Sequence, residues 1–301
     1  MKPTMRAIPA AAVLVAAMTA AAPAPAQAPD PEAVRRGEYV FNAAGCLGCH
    51  TDEKNKGPRL AGGRPVKTPF GTFYGPNITQ DPVHGIGRWT EAEFLRALRE
   101  GVRNDGAHLF PAFPYTSFTG MSEADAKDLW AYLRTVPGVA QPSRPHDIGF
   151  PFNLRFLMMG WKWLFFAPRR FQPDAGKSAE VNRGAYLATA LGHCRECHSP
   201  RNLFGGIQDG MALAGGALAD GVAPNLTPDP ETGLGKWNAG DLAELLKSGM
   251  LPDGDFVGGE MTEVVNNTTG KLSDADRRAI VAYLKSLPPV RHKPTKPKPK
   301  T

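Results

Sequence analysis

A chain of 301 residues has room for two modest domains, each able to bury a core. Its formal net charge of +6 is concentrated at the ends, in Lys2 and Arg6 and in Arg291, Lys293, Lys296, Lys298 and Lys300. The part between is close to neutral, which excludes a basic nucleic-acid-binding face, and four cysteines are too few for a chain of this length to depend on a disulfide framework.

From Met1 to Ala28, two basic residues precede an apolar run from Ala7 to Ala22, and Ala26-Gln27-Ala28 ends it with small side chains. This pattern predicts a secretory signal over 1–28, removed on export to the periplasm, so that the mature protein begins near Pro29. A short helix is expected from about Pro31 to Ala44, leading into Cys46-Leu47-Gly48-Cys49-His50. Two cysteines with this spacing can form thioethers to the vinyl groups of a haem, and the histidine that follows can bind the iron from below. A redox dithiol has no need of that histidine. The motif returns at Cys194-Arg195-Glu196-Cys197-His198, after a second helix from about Ala179 to Leu191, so all four cysteines are used and two covalently bound haems c are expected. The two pairs lie too far apart in sequence for an ordinary zinc ribbon.

The neighbourhood of the motif is repeated as well. Arg36-Gly37-Glu38-Tyr39 matches Arg183-Gly184-Ala185-Tyr186; Pro76-Asn77-Ile78-Thr79 with Gly85-Ile86-Gly87 and Trp89 matches Pro224-Asn225-Leu226-Thr227 with Gly233-Leu234-Gly235 and Trp237. Amphipathic helices are expected from Thr90 to Gly101 and from Asn238 to Gly249. A last helix in each copy starts at Ser122 or Ser273, with Leu129, Tyr132 and Leu133, or Ile280, Tyr283 and Leu284, on its buried face. Strand signals are sparse. The expectation is all-α: a first domain over 29–140, a linker over 141–175, a second domain over 176–290 and a disordered Lys/Pro arm over 291–301. The linker holds an unusually apolar segment, Phe150 to Phe171, with an aromatic run from Phe156 to Phe166, and Arg155, Lys162 and Arg169 interrupt the segment too early for a membrane span. The preferred reading is a helix packed between the domains; the sharper one is an exposed patch that docks on a membrane subunit or lies in the lipid interface.

Taken together, the two motifs, P-N-[IL]-T, G-[IL]-G-x-W, Asp105-Gly106 and Phe113-Pro114-Tyr115 resemble the multihaem class I cytochrome c subunits of bacterial membrane dehydrogenases, of the alcohol and gluconate type. Relatives of that kind often carry three haem domains, where this chain has two motifs. The resemblance implies an electron-transfer protein that receives electrons from a partner dehydrogenase and delivers them to a quinone, another cytochrome or an oxidase. It also implies methionine as the usual sixth ligand of iron. In the second domain Met261, on a loop before the last helix, is the expected ligand; Met211 and Met250 are less well placed. In the first, relatives commonly have methionine where this chain has Phe113, so Met121 becomes the expected ligand and His108 a weaker one. Met121 has a plainer reading as a staple at the start of the last helix, in the place of Leu272. An open sixth site would favour the alternative of a peroxidase-like dihaem enzyme. Asn77, Trp89, Asn225 and Trp237 are candidates either to contact haem propionates or only to shape their loops.

Overall fold

The computed structural model describes residues 29–219 and 221–296; the expected signal over 1–28 lies outside them. In the first domain α1 (Pro31–Ala43) is capped by Asp30, whose carboxylate accepts from the amides of Glu32 and Ala33. Gly45, at φ 63°, turns the chain into the single-motif helix α2 (Cys46–His50). A hairpin of β1 (Pro65–Thr68) and β2 (Gly71–Tyr74) follows. Then comes α3 (Glu91–Glu100), closed at one end by a Thr90/Glu93 capping box and at the other by left-handed Gly101. A short turn of helix, α4 (Tyr115–Phe118), precedes α5 (Glu123–Leu133), and β3 (Asp147–Ile148) adds an antiparallel third strand beside β2. The linker forms α6 (Leu157–Phe165). The second domain repeats the plan with α7 (Ala179–Tyr186) prolonged by a π turn over Leu187–Leu191, the hairpin β4 (Gly216–Leu218) and β5 (Gly221–Ala223), α8 (Ala239–Ser248), α9 (Glu260–Asn267) and α10 (Asp274–Ser286).

The architecture is therefore helical with two small antiparallel sheets, not all-α. The hairpins were missed because glycine-rich pairs of three or four residues carry no alternating apolar pattern. The first domain also runs past the expected boundary at 140. The Asn77 side-chain amide donates to the carbonyls of Val139 and Gln141, Ser143 accepts the Asn77 amide, and His146 packs its ring on Phe73 and Phe110. At the other end, residues expected to open the disordered arm are held against the second domain, and 297–301 lie outside the described residues. Asn225 donates to the Val290 carbonyl at 2.7 Å, the His292 ring lies 2.8 Å from the Ala214 carbonyl, and Arg291 pairs with Glu231.

The repeated Arg-Gly-x-Tyr has a separate job for each of its three residues. Glycine lets the first and last helices of a domain cross in contact: a Cβ on Gly37 would lie 1.9 Å from the carbonyl oxygen of Asp128, and one on Gly184 1.8 Å from that of Ala279. Arginine ties the same pair together, Arg36 to Asp128 and Arg183 to Asp276. Tyrosine reaches into the other domain. The Tyr39 hydroxyl donates to Asp276 at 2.6 Å and accepts from the Ser273 amide at 3.1 Å, both at the start of α10. Reciprocally, the Tyr186 hydroxyl donates to Asp125 and accepts from the Ser122 amide at the start of α5. The two domains thus face each other across a pseudo-two-fold, as two copies of a symmetric dimer would.

The linker helix is not buried between the domains. Trp163 is 85 % exposed, and Phe156, Met159 and Leu164 stand out with it. The buried member is Lys162, which donates to the carbonyls of Glu100 and Gly101, at the end of α3, and to Nδ1 of His108. Burial pushes the lysine pKa down to about 8. The residue that broke the apolar run is the anchor that fixes α6 to the first domain.

Gly37→Ala and Gly184→Ala should each destabilise the protein by about 2–3 kcal/mol, because the added carbon meets backbone that can move only if the helices separate; guanidinium unfolding followed by circular dichroism measures this. At Asp276, burial raises the carboxyl pKa, but the hydrogen bonds from Arg183 and Tyr39 outweigh it and the net shift is downward. A carboxyl depressed in the folded state stabilises above its unfolded pKa of about 4 and loses that contribution as pH falls through the folded value. Asp276→Asn should therefore cost about 2 kcal/mol at pH 7 and flatten the loss of stability that the wild type shows below about pH 4 in the same unfolding assay.

Candidate functional site

Each histidine of the C-x-x-C-H motifs is held by one backbone carbonyl. Nδ1 of His50 lies 2.8 Å from the Pro76 oxygen, and Nδ1 of His198 lies 2.8 Å from that of Pro224. A carbonyl can only accept, so Nδ1 carries the proton and Nε2 keeps the lone pair that a metal needs. Burial pushes both imidazole pKa values down, with the carbonyl bond working the other way. The neutral, ligating form is the one the fold favours.

The loops around the two motifs match in detail. The Gly62 amide donates to the His50 carbonyl and the Gly215 amide to that of His198, both at 2.8 Å. Thr51 Oγ1 accepts the Leu60 amide and Ser199 Oγ accepts the Leu213 amide, at 3.0 Å in both cases. Gly75 must be glycine because a Cβ there would lie 1.8 Å from the Cys49 carbonyl oxygen. Asn77 and Asn225 spend their side chains inside the loop: each Oδ1 accepts the amide and hydroxyl of the threonine two residues on, Thr79 or Thr227, and each Nδ2 donates to backbone carbonyls. Their role is to hold the proline carbonyl in place rather than to reach propionates, and Trp89 and Trp237 pack on the cores. The proline carbonyl itself went unseen in the sequence, although its signal, P-N-[IL]-T at one fixed distance after each histidine, was there.

The two motifs meet at the domain interface. Gly45 and His193, the residues before the first cysteine of each, both adopt positive φ, at 63° and 41°. A Cβ on Gly45 would come within 3.8 Å of Nε2 of His193. The His193 ring stands edge-on to Phe118 of the first domain at 5.6 Å. Cys49 is near enough to Cys197 for a charge on one thiol to raise the pKa of the other. Glu196, inside the second motif, accepts from Thr116 and Ser117 of α4. In return Arg64 of the first domain, itself buried, pairs with Glu260 and Glu263 of α9. Burial pushes the Cys46 thiol up to about 12 and the Cys194 thiol up to about 11, the opposite of the low-pKa thiolate of a redox dithiol. No three Cys, His, Asp or Glu side chains converge as a metal-ion cage among the described residues.

Paired thiols beside a histidine with a free Nε2, twice over, fit a covalently attached haem in each domain. The family model described as Cytochrome c matches residues 34–137 and again 181–288. The chain belongs to the cytochrome c family. It carries two covalently bound haems c and is an electron-transfer protein. It is 45 % identical over 260 residues to a protein named Diheme cytochrome c-type from Cereibacter sphaeroides, covering 85 % of this chain and 86 % of that one. It is 43 % identical over 278 residues to the cytochrome c subunit of alcohol dehydrogenase (quinone) from Gluconacetobacter polyoxogenes, and 39 % identical over 265 residues to the cytochrome c subunit of gluconate 2-dehydrogenase from Pantoea cypripedii. The aligned region takes in 88 % and 84 % of this cytochrome but only 58 % and 59 % of those two longer proteins.

At the residues expected as sixth ligands, the two domains of the cytochrome differ. Met261 lies in the first turn of α9, a helix where a loop was expected, and is half-buried. Met121 belongs to the packed interior of the first domain. It is enclosed on every side in the hydrophobic core and stands directly before the Ser122 cap, as Leu272 stands before Ser273. His108 is committed to Lys162. Met261→Ala should abolish the weak near-infrared band that methionine ligation gives ferric haem, and should lower the reduction potential of one haem; absorption spectra with a potentiometric titration measure both.

Proposed function

We propose that this cytochrome is exported to the periplasm, receives its haems at Cys46/Cys49 and Cys194/Cys197 with His50 and His198 as iron ligands and Met261 as a sixth ligand, and passes electrons from a partner dehydrogenase to a quinone, another cytochrome or an oxidase. Each haem supplies an iron that takes up and returns one electron. The protein's own contribution is to fix the histidines through the Pro76 and Pro224 carbonyls and to hold the two attachment motifs against each other. That juxtaposition is the observation that carries the reading: two one-electron centres sharing an interface make a relay. The dehydrogenase partner rests on the names of the relatives, two of which are dehydrogenase subunits.

Peripheral association with a membrane, or with a membrane-bound subunit, belongs to the same proposal. Trp161 and Phe165 of α6 meet Phe204 of the second domain, Trp161 donating to its carbonyl at 2.9 Å and the Phe165 ring stacking on its ring at 6.3 Å, while Trp163, Leu164 and Leu203 are exposed, Leu203 at 92 %. Such an aromatic surface suits an interface between water and a greasy partner. No helix among the described residues is long and apolar enough to cross a membrane.

Purification from the native source tests the reading. The chain should co-purify with a dehydrogenase activity, and adding that enzyme's substrate should reduce the haem absorption bands. Deleting the gene should leave the dehydrogenase active with a soluble dye but inactive towards its physiological acceptor. Rapid turnover of peroxide by the isolated protein, with no dehydrogenase affected by the deletion, would instead establish the enzyme alternative.

A further inference from the structure

The two domains keep a common register beyond the helices that end at Gly101 and Gly249. The offset that separates His50 from His198 also separates Pro76 from Pro224, Trp89 from Trp237 and the helix-ending Gly101 from Gly249. It persists through a matched pair of backbone contacts. Val102 bridges His108 where Met250 bridges Phe256, and the Leu109 amide donates to the Gly101 carbonyl at 2.8 Å where the Val257 amide donates to that of Gly249 at 2.9 Å. Four residues beyond this last shared hydrogen bond the chain reaches Met261 in the second domain and Phe113 in the first. The extra residues of the second domain come only afterwards, between Met261 and Ser273. Both side chains are half-buried, and the Phe113 ring leans on Phe118 at 5.6 Å.

A phenyl ring cannot bind iron, and nothing else in the first domain takes its place. Met121 is the only methionine between His50 and the linker helix, and it is sealed in the core in the position of Leu272. Nδ1 of His108 accepts from the Lys162 ammonium at 3.0 Å, which puts the ring proton on Nε2, the reverse of the arrangement at His50. His146 accepts the Tyr74 amide and is stacked among aromatic rings. The His84 amide is tied to the Asp81 carboxylate in a turn on the surface. We propose that the haem of the first domain has no side chain as its sixth ligand and is open to small neutral π-acceptor molecules of the carbon monoxide or nitric oxide class, while Met261 closes the haem of the second. The segment Phe110-Pro111-Ala112-Phe113-Pro114 offers no side-chain hydrogen-bond donor, and its two prolines lack an amide proton. A neutral diatomic needs no such donor when it binds ferrous iron.

The proposal rests on a haem being attached in the first domain, so the haem count of each preparation is measured first as the pyridine adduct and should be two per chain. Titrating the dithionite-reduced protein with carbon monoxide should then bind about one equivalent per chain, that is, half the haem. The ferric protein should show one high-spin or water-ligated and one low-spin haem by electron paramagnetic resonance. Phe113→Met should abolish the carbon monoxide binding and add a second methionine-type near-infrared band. Met121→Leu, which installs the side chain found at Leu272, should change neither. Two low-spin haems and no carbon monoxide uptake in the wild type would overturn the proposal, as would loss of one methionine band in Met121→Leu. Uptake of two equivalents would overturn the selectivity for the first domain. A haem count of one would mean that attachment itself has failed, a different result from a closed sixth position.

Discussion

The contact on which the rest of the molecule depends is the crossing of first and last helix in each domain, α1 on α5 and α7 on α10, at Gly37 and Gly184. Backbone touches backbone there, so the helices have one spacing and one register. Neighbouring residues then acquire fixed directions. Arg36 and Arg183 turn inward to tie the crossing, while Tyr39 and Tyr186 turn outward to the helix start of the opposite domain. Because each first helix runs directly into its haem motif, locking the crossings also locks the two motifs against each other. A short side-chain signature therefore serves the domain, the interface and the separation of the two redox centres at once.

Around that frame the duplicated domains share the contacts that hold the motif histidine and differ at the residues that follow the last matched hydrogen bond. The proline carbonyl, the asparagine that pins its loop, and the amide that reaches the histidine carbonyl are the same in both copies. Met261 and Phe113, which follow the same shared hydrogen bond, are not. The identity of the axial ligand is one lever on a haem's potential, and it is at these two positions that the copies diverge in sequence.

The linker shows how one charge can change the meaning of a segment. Lys162 spends its ammonium on the end of α3 and on His108, which holds α6 to the first domain along one edge and leaves its tryptophan and leucine faces outward.

What was legible in the sequence is whatever depends on local chemistry: the two C-x-x-C-H motifs and the two haems they imply, the duplication, and the capped helices with their apolar faces. Cap residues and covalent spacing act within a few positions, so a linear reading finds them. The tertiary structure decided the rest. It showed that Pro76 and Pro224 orient the histidines, that Met121 belongs to the core, that the linker helix faces outward, and that residues past 140 and 290 complete their domains. Each of these joins groups far apart in the chain, and most act through backbone carbonyls and amides, which every residue type possesses and no residue letter reveals.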